Sequence, residues 1–161
     1  LNQGERLCLD GGNGSGKTSL LRLVLGEEVP HTGTLFRVSG LKISYVPQRA
    51  DHLKGNPVVW AEGQGIDLTQ FLTILRKLGL SRELFSRNMS EYSAGQQKKV
   101  LLAASMCQSA HLYLWDEPLN YVDLFSRMQI EELLLQYRPT LLFVEHDRVF
   151  REKIATETIE L

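Results

Sequence analysis

The stretch Leu9 to Val24, LDGGNGSGKTSLLRLV, restricts the fold more than any other part of this chain. The apolar run Arg6–Asp10 stops at a cluster of glycines, and a strongly apolar helical pattern begins at once after Lys17-Thr18. A short buried strand, a tight loop and a helix must follow one another here. Gly11, Gly12, Asn13, Gly14, Ser15, Gly16, Lys17 and Thr18 fill the pattern G-x-x-x-x-G-K-[ST] in full. Glycines let successive backbone N–H groups turn inward without Cβ atoms in the way. The helix that follows aims its positive end at the same point. Lys17 supplies a cation to the outer phosphates of a polyphosphate, and the Thr18 hydroxyl is a ligand for Mg²⁺.

The rest of the chain extends this unit. Leu20, Leu21, Val24 and Leu25 recur at helical spacing, and Gly26 ends the helix. Thr34–Val38 and Lys42–Val46 read as strands joined through Ser39-Gly40 as a hairpin, with Pro47 stopping the second. Residues 49–66 read as loop. A helix from Asp67 to Gly79 buries Leu68, Phe71, Leu72, Leu75 and Leu78, and a short helix is expected at 81–85. The segment SAGQQKKVLLAASMC is expected to form an amphipathic helix with Val100, Ala103, Ala104 and Cys107 on its apolar stripe. HLYLWDE and TLLFVEHD are apolar strands ending in acids, with a helix between them that starts near Val122 and ends before Pro139, and TETIEL is a closing edge strand. This alternation predicts an α/β domain with a mainly parallel sheet.

Composition narrows the class of protein. A chain of 161 residues with 43% hydrophobic and 23% charged residues is one ordinary domain with a core. Its formal net charge of −1 gives no support for bulk nucleic-acid binding. The two cysteines, Cys8 and Cys107, lie in apolar stretches and read as buried free thiols of a reducing cytosol. No run reaches the length of a membrane span. The chain starts without Met and reads as a piece of something larger.

Two further elements carry chemistry. Asp116 and Glu117 end an apolar strand, where open α/β sheets gather their ligands. Asp116 is placed for Mg²⁺ and Glu117 for an attacking water. Ser93, with Gln96 three residues on, forms a capping box, and the small Ser93-Ala94-Gly95 start of that helix is a second anion site. One domain needs one such site. A second suggests a nucleotide held between two domains.

In order, GGNGSGKT, Gln48 in YVPQ, YSAGQ, LYLWDE, Asp123 in PLNYVD and His146 in FVEHD resemble the motifs of an ATP-binding cassette (ABC) ATPase over nearly the whole chain. The resemblance implies a P-loop fold of ABC type with a helical subdomain at about 50–108, its N-terminal antiparallel strands truncated. It implies hydrolysis of ATP with Mg²⁺, and a second cassette that completes each site. Gln48 then resembles the residue that senses metal and attacking water. Ser93, Gly95 and Gln96 resemble contacts to the partner's nucleotide, Asp123 the loop residue that crosses the interface, and His146 the switch at the γ-phosphate. Two departures stand out. Tyr92 and Ala94 replace residues of the usual Leu-Ser-Gly-Gly-Gln signature, with ordinary helical geometry expected at Ala94. The aromatic strand that stacks on adenine is also missing. DEPLNYVD and GQQKKVLLAAS look most like the ABC-F branch of the ribosome-protection, antibiotic-resistance type, and most like its C-terminal cassette. On that reading the protein is cytoplasmic, acts at the ribosome and inserts nothing into a membrane, and the isolated chain is a poor ATPase. The ATPase subunit of a membrane transporter is the alternative, and a non-catalytic dimerisation module a third.

Overall fold

The structure is a computed structural model and describes residues 1–161. Five strands, β1 (Arg6–Asp10), β2 (Ile43–Val46), β3 (Leu112–Asp116), β4 (Leu141–Val144) and β5 (Glu157–Glu160), form one sheet in the order β2-β3-β4-β1-β5. Every strand pair is parallel. Parallel strands need crossover connections, and six helices supply them. These are α1 (Lys17–Leu25), α2 (Pro57–Gly63), α3 (Leu68–Lys77), α4 (Ala94–Cys107), α5 (Leu124–Tyr137) and α6 (Arg148–Ile154).

Neighbouring strand residues serve opposite faces of the sheet. Leu9, Leu114, Leu142 and Val144 pack with Leu21 of α1 on one side. Cys8, Trp115 and Phe143 turn to the other, where a larger core includes Phe71, Leu75, Val100, Leu102, Ile130 and Phe150. Phe143 and Phe150 meet edge to face, with ring centroids 5.8 Å apart. The register pairs Leu9 with Val144, Asp116 with Val144 and Val46 with Trp115. The carboxyl ends of β1 to β4 therefore finish at one edge, and the loops beyond them meet there.

The expected hairpin is not formed. Residues 34–38 take no regular structure, with Phe36 92% and Val38 78% exposed, and β2 pairs only with β3. The β-prone residues of that segment, Thr34, Phe36 and Val38, find no neighbouring strand, and an unpaired strand is not stable. Residues 49–66, read as loop, contain α2. Asn56 caps it by accepting from Val58 and Val59 N–H, and Pro57 occupies its first turn. α6 also goes beyond the sequence expectation, capped by Asp147. The short helix expected at 81–85 is a 3₁₀ turn at Arg82–Ser86.

The amphipathic stripe foreseen for α4 is replaced by burial on every side: Gln97 through Ser105 are all buried. The polar members of that run are satisfied inside the protein. Gln97 donates to Met89 O at 2.9 Å, and Ser105 Oγ lies 2.7 Å from Ser44 Oγ and accepts from Trp115 Nε1 at 3.0 Å. Ala94 has no positive φ, so the extra Cβ in the YSAGQ segment sits in ordinary helical backbone.

Candidate functional site

Gly11, Gly14 and Gly16 have φ values of 144°, 83° and 101°, which L side chains avoid. At Gly11 a Cβ would also come within 2.7 Å of Leu161 O and 2.8 Å of Ser15 Oγ. Gly16 is the N-cap of α1 and brings no side chain to it, so the first-turn N–H groups have no side-chain cap. Lys17 is buried, and its ammonium donates to Gly11 O at 2.7 Å and Gly12 O at 2.8 Å. An ammonium has three protons, so one more acceptor can be held. Gly12, Asn13 and Ser15 complete the loop, closed by Ser15 N–H to Gly12 O at 3.2 Å.

The loop touches β3 through one hydrogen bond. Thr18 Oγ1 donates to Asp116 Oδ2 at 3.0 Å. The other carboxylate oxygen, Asp116 Oδ1, is buried without any hydrogen-bond partner. Burial pushes the Asp116 carboxyl above its usual range and nearby Glu117 adds to this, against the opposing pull of Thr18, Lys98 and Lys17. An orphaned buried carboxylate oxygen beside a threonine hydroxyl is a donor set that suits a hard divalent cation such as Mg²⁺.

Glu117 is the meeting point of three segments. Its backbone sits at φ 47°, a left-handed conformation that non-glycine residues rarely adopt and that is found at functional sites. Gln48 Nε2 donates to Oε2 at 2.8 Å, Asn120 Nδ2 donates to the same oxygen, and His146 Nε2 lies 3.3 Å from Oε1. Burial raises the Glu117 pKa, but the hydrogen bonds from Gln48, Asn120 and His146 outweigh it and hold the carboxylate below its usual value. Glu117 is therefore ionised at neutral pH.

His146 is fixed from both sides. Glu145, only 4% exposed, accepts from His146 N–H at 2.7 Å, from Asp147 N–H at 3.2 Å and from Leu119 N–H at 3.1 Å. Asp147 caps α6 and pairs with both terminal nitrogens of Arg127 at 2.5 and 2.7 Å. Arg127 continues to Glu131, which also binds Lys153.

Ser93, Gly95, Gln96 and Asp123 form a separate group. Ser93 and Gln96 complete a reciprocal capping box at the start of α4. A Cβ on Gly95 would stand 2.3 Å from Tyr121 O, so only glycine lets the 119–123 loop lie against that helix. Asp123 caps α5, accepting from Ser126 N–H at 2.9 Å, and pairs with Lys99 at 2.5 Å. Burial opposes ionisation of Asp123, and these partners overcome it, lowering its pKa. None of the hydrogen bonds or ion pairs of Ser93, Gln96 or Asp123 reaches the 11–18 loop.

Sequence reasoning passed over Asn120, Glu145, Arg127 and Lys98. Asn120 lies three residues after Glu117 in the quoted motif, and Glu145 stands next to His146, so both were within reach. Lys98 is 1% exposed, and burial lowers its pKa to about 8.

Comparison with known proteins places these features. The family model described as "ABC transporter" matches residues 1–120. Ribosome protection protein VmlR of Bacillus subtilis is 34% identical over 95% of this chain and 28% of its own length. Zinc import ATP-binding protein ZnuC of Photorhabdus laumondii is 33% identical over 91% of this chain and 60% of its own. The chain thus spans about a quarter of the length of the first curated relatives it matches. A chain in the crystal structure of archaeal ribosomal stalk protein aP1 with archaeal ribosome recycling factor aABCE1 superposes at a TM-score of 0.84. It is 27% identical, over 99% of this chain and 32% of that one. With a phosphate-type loop, two strand-end acids and a capped YSAGQ helix set on a parallel sheet, and with the family match running over residues 1–120, the chain belongs to the ABC transporter family of ATP-binding cassettes.

Proposed function

We propose that residues 1–161 are one cassette of an ABC-F type protein that binds and hydrolyses ATP in a pair of cassettes and works on the ribosome in the cytoplasm. On this reading the helical subdomain spans about residues 50–108. The observation that carries the hydrolytic reading is the convergence on Glu117: an ionised carboxylate held by Gln48, Asn120 and His146, one residue beyond Asp116. Such a group orients a water and accepts its proton, a role worth about 10²–10⁴ in rate.

The other residues divide the work. Backbone N–H groups of Gly14 to Thr18 and the free proton of Lys17 hold the β- and γ-phosphates. Thr18, Asp116 and Gln48 are the residues for Mg²⁺, which when bound neutralises phosphate charge. His146, with Nε2 3.3 Å from Glu117 Oε1, is the switch that would contact the γ-phosphate. Ser93, Gly95 and Gln96 serve the nucleotide of the opposing cassette, and Asp123 crosses toward it. That division explains why this second group makes no bond to the chain's own loop.

The ribosome reading rests on DEPLNYVD and on the relation to VmlR across 95% of the chain. The relation to ZnuC favours a second reading, the ATPase subunit of a transporter. No helix here is long and apolar enough to cross a membrane, and under either reading the cassette itself need not. Glu117→Gln in the full-length protein tests both levels. Turnover is expected to fall at least ~100-fold with ATP binding retained. The ATP-trapped variant is expected to sediment with ribosomes; recovery with membranes instead favours transport. Unchanged turnover removes Glu117 from the role of base. The isolated chain, lacking an opposing cassette, is expected to turn over ATP poorly.

A further inference from the structure

Lys98 lies on the second turn of α4, with its ammonium in the interior between β2 and β3. Val46 and Trp115 are the last register pair of those strands. The next residue, Pro47, has no N–H and cannot continue the ladder. Lys98 Nζ takes over at that point, donating to Pro47 O at 2.8 Å, Gln48 O at 3.2 Å and Asp116 O at 3.2 Å. All three protons of the ammonium are used, each on a main-chain carbonyl.

These carbonyls belong to the two segments whose side chains define the site. Gln48 reaches Glu117, and Asp116 reaches Thr18. The helix that carries Lys98 begins at the Ser93–Gln96 capping box, in the group assigned to the opposing nucleotide. One side chain therefore links the start of α4 to the loop after β2 and the end of β3.

We infer that Lys98 is a positioning residue that sets the spacing between Gln48 and the Asp116-Glu117 pair, tying it to the placement of the Ser93–Gln96 helix start. It touches no reacting group and acts through the backbone of those that do. This inference rests on the hydrolytic reading above for its kinetic consequence, and on geometry alone for its structural one.

The test compares Lys98→Met with Lys98→Gln in the full-length protein. The methionine removes every donor, and the glutamine keeps two. Lys98→Met is expected to lower kcat for ATP at least tenfold while KM stays within threefold, and Lys98→Gln is expected to recover a substantial part of kcat. Amide hydrogen exchange is the readout independent of turnover: the Glu117 N–H, which donates to Val144 O at 3.0 Å from the same peptide unit whose carbonyl Lys98 holds, is expected to exchange at least tenfold faster in Lys98→Met, with α1 protection unchanged. Equal exchange of the Glu117 amide in wild type and a folded Lys98→Met overturns the proposal, whatever the activity. So does a parallel loss of protection in α1 and at the Glu117 amide, since that is general destabilisation. A wild-type protein that turns over no ATP, with the local exchange effect present, refutes the hydrolytic reading and leaves the strut in place.

Discussion

Gly95→Ala adds one methyl group at the start of α4, and the structure states what it strikes. The new Cβ would lie 2.3 Å from Tyr121 O and 3.3 Å from Tyr121 C. An ordinary contact needs about 3.4 Å, so the 119–123 loop must retreat by roughly 1 Å. That loop is not free to do so. Leu119 N–H is held by Glu145, Asn120 by Glu117, and Asp123 by Lys99. Tyr121 itself already sits at φ 65°. Overpacking against fixed backbone costs about 1–3 kcal/mol, and the better helix propensity of alanine returns about 0.5–1. A net loss of about 1–2 kcal/mol in a domain of this size lowers Tm by about 2–8 °C. Gly63→Ala is the control: it lies in α2 with nothing within 4 Å of its Cβ, and is expected to leave Tm unchanged or raise it slightly. Differential scanning calorimetry of both variants decides the matter. If Gly95→Ala melts with Gly63→Ala, the close approach of loop and helix is wrong, and the grouping of Ser93, Gly95 and Asp123 loses its basis. Because Asn120 moves with Tyr121, the same variant is expected to lose ATP turnover beyond what its Tm explains.

Two other perturbations follow from the geometry. Gly11→Ala puts a Cβ into Leu161 O and Ser15 Oγ at a φ of 144°, and is expected to weaken binding of a fluorescent ATP analogue by tenfold or more with the sheet intact by circular dichroism; binding within twofold of wild type would show that the loop tolerates the change. Glu131 is 6% exposed at its side chain, and although burial pushes its pKa up, Lys153 and Arg127 pull it below 4.5. A folded value lower than the unfolded one means the carboxylate stabilises the protein above about pH 4.5, and this is lost as pH falls further. Glu131→Gln is therefore expected to reduce stability at pH 7 by up to about 3 kcal/mol. Urea titrations should show that gap closing toward pH 3, and a pH-independent gap excludes the ion pairs as its origin.

What could be read from the sequence divides along local and non-local causes. The 11–18 loop is a local object: glycine spacing alone dictates its positive-φ turns, and α1 follows from the next nine residues. Asp67, Ser93 and Asp123 are also local, since each caps the helix that begins one residue later. Residues 34–38 show the opposite. Their β-branched and aromatic residues favour a strand, but a strand exists only where another accepts its hydrogen bonds, and the sequence does not record that no neighbour is present. α2 is an intermediate case, because Asn56-Pro57 is a helix-start signal that the surrounding Gly and Asp residues outweighed. Lys98 marks the far end of the scale. It bonds residues 51, 50 and 18 positions away, all through main-chain carbonyls that have the same chemistry in every residue. Side-chain motifs therefore exposed the groups that would touch phosphate and metal, while the groups that hold them stayed hidden. A lysine on the expected polar face of a helix looks solvated until β2 and β3 are paired. Only the parallel register, which brings Val46 beside Trp115, turns that lysine into the closing bond of the sheet edge.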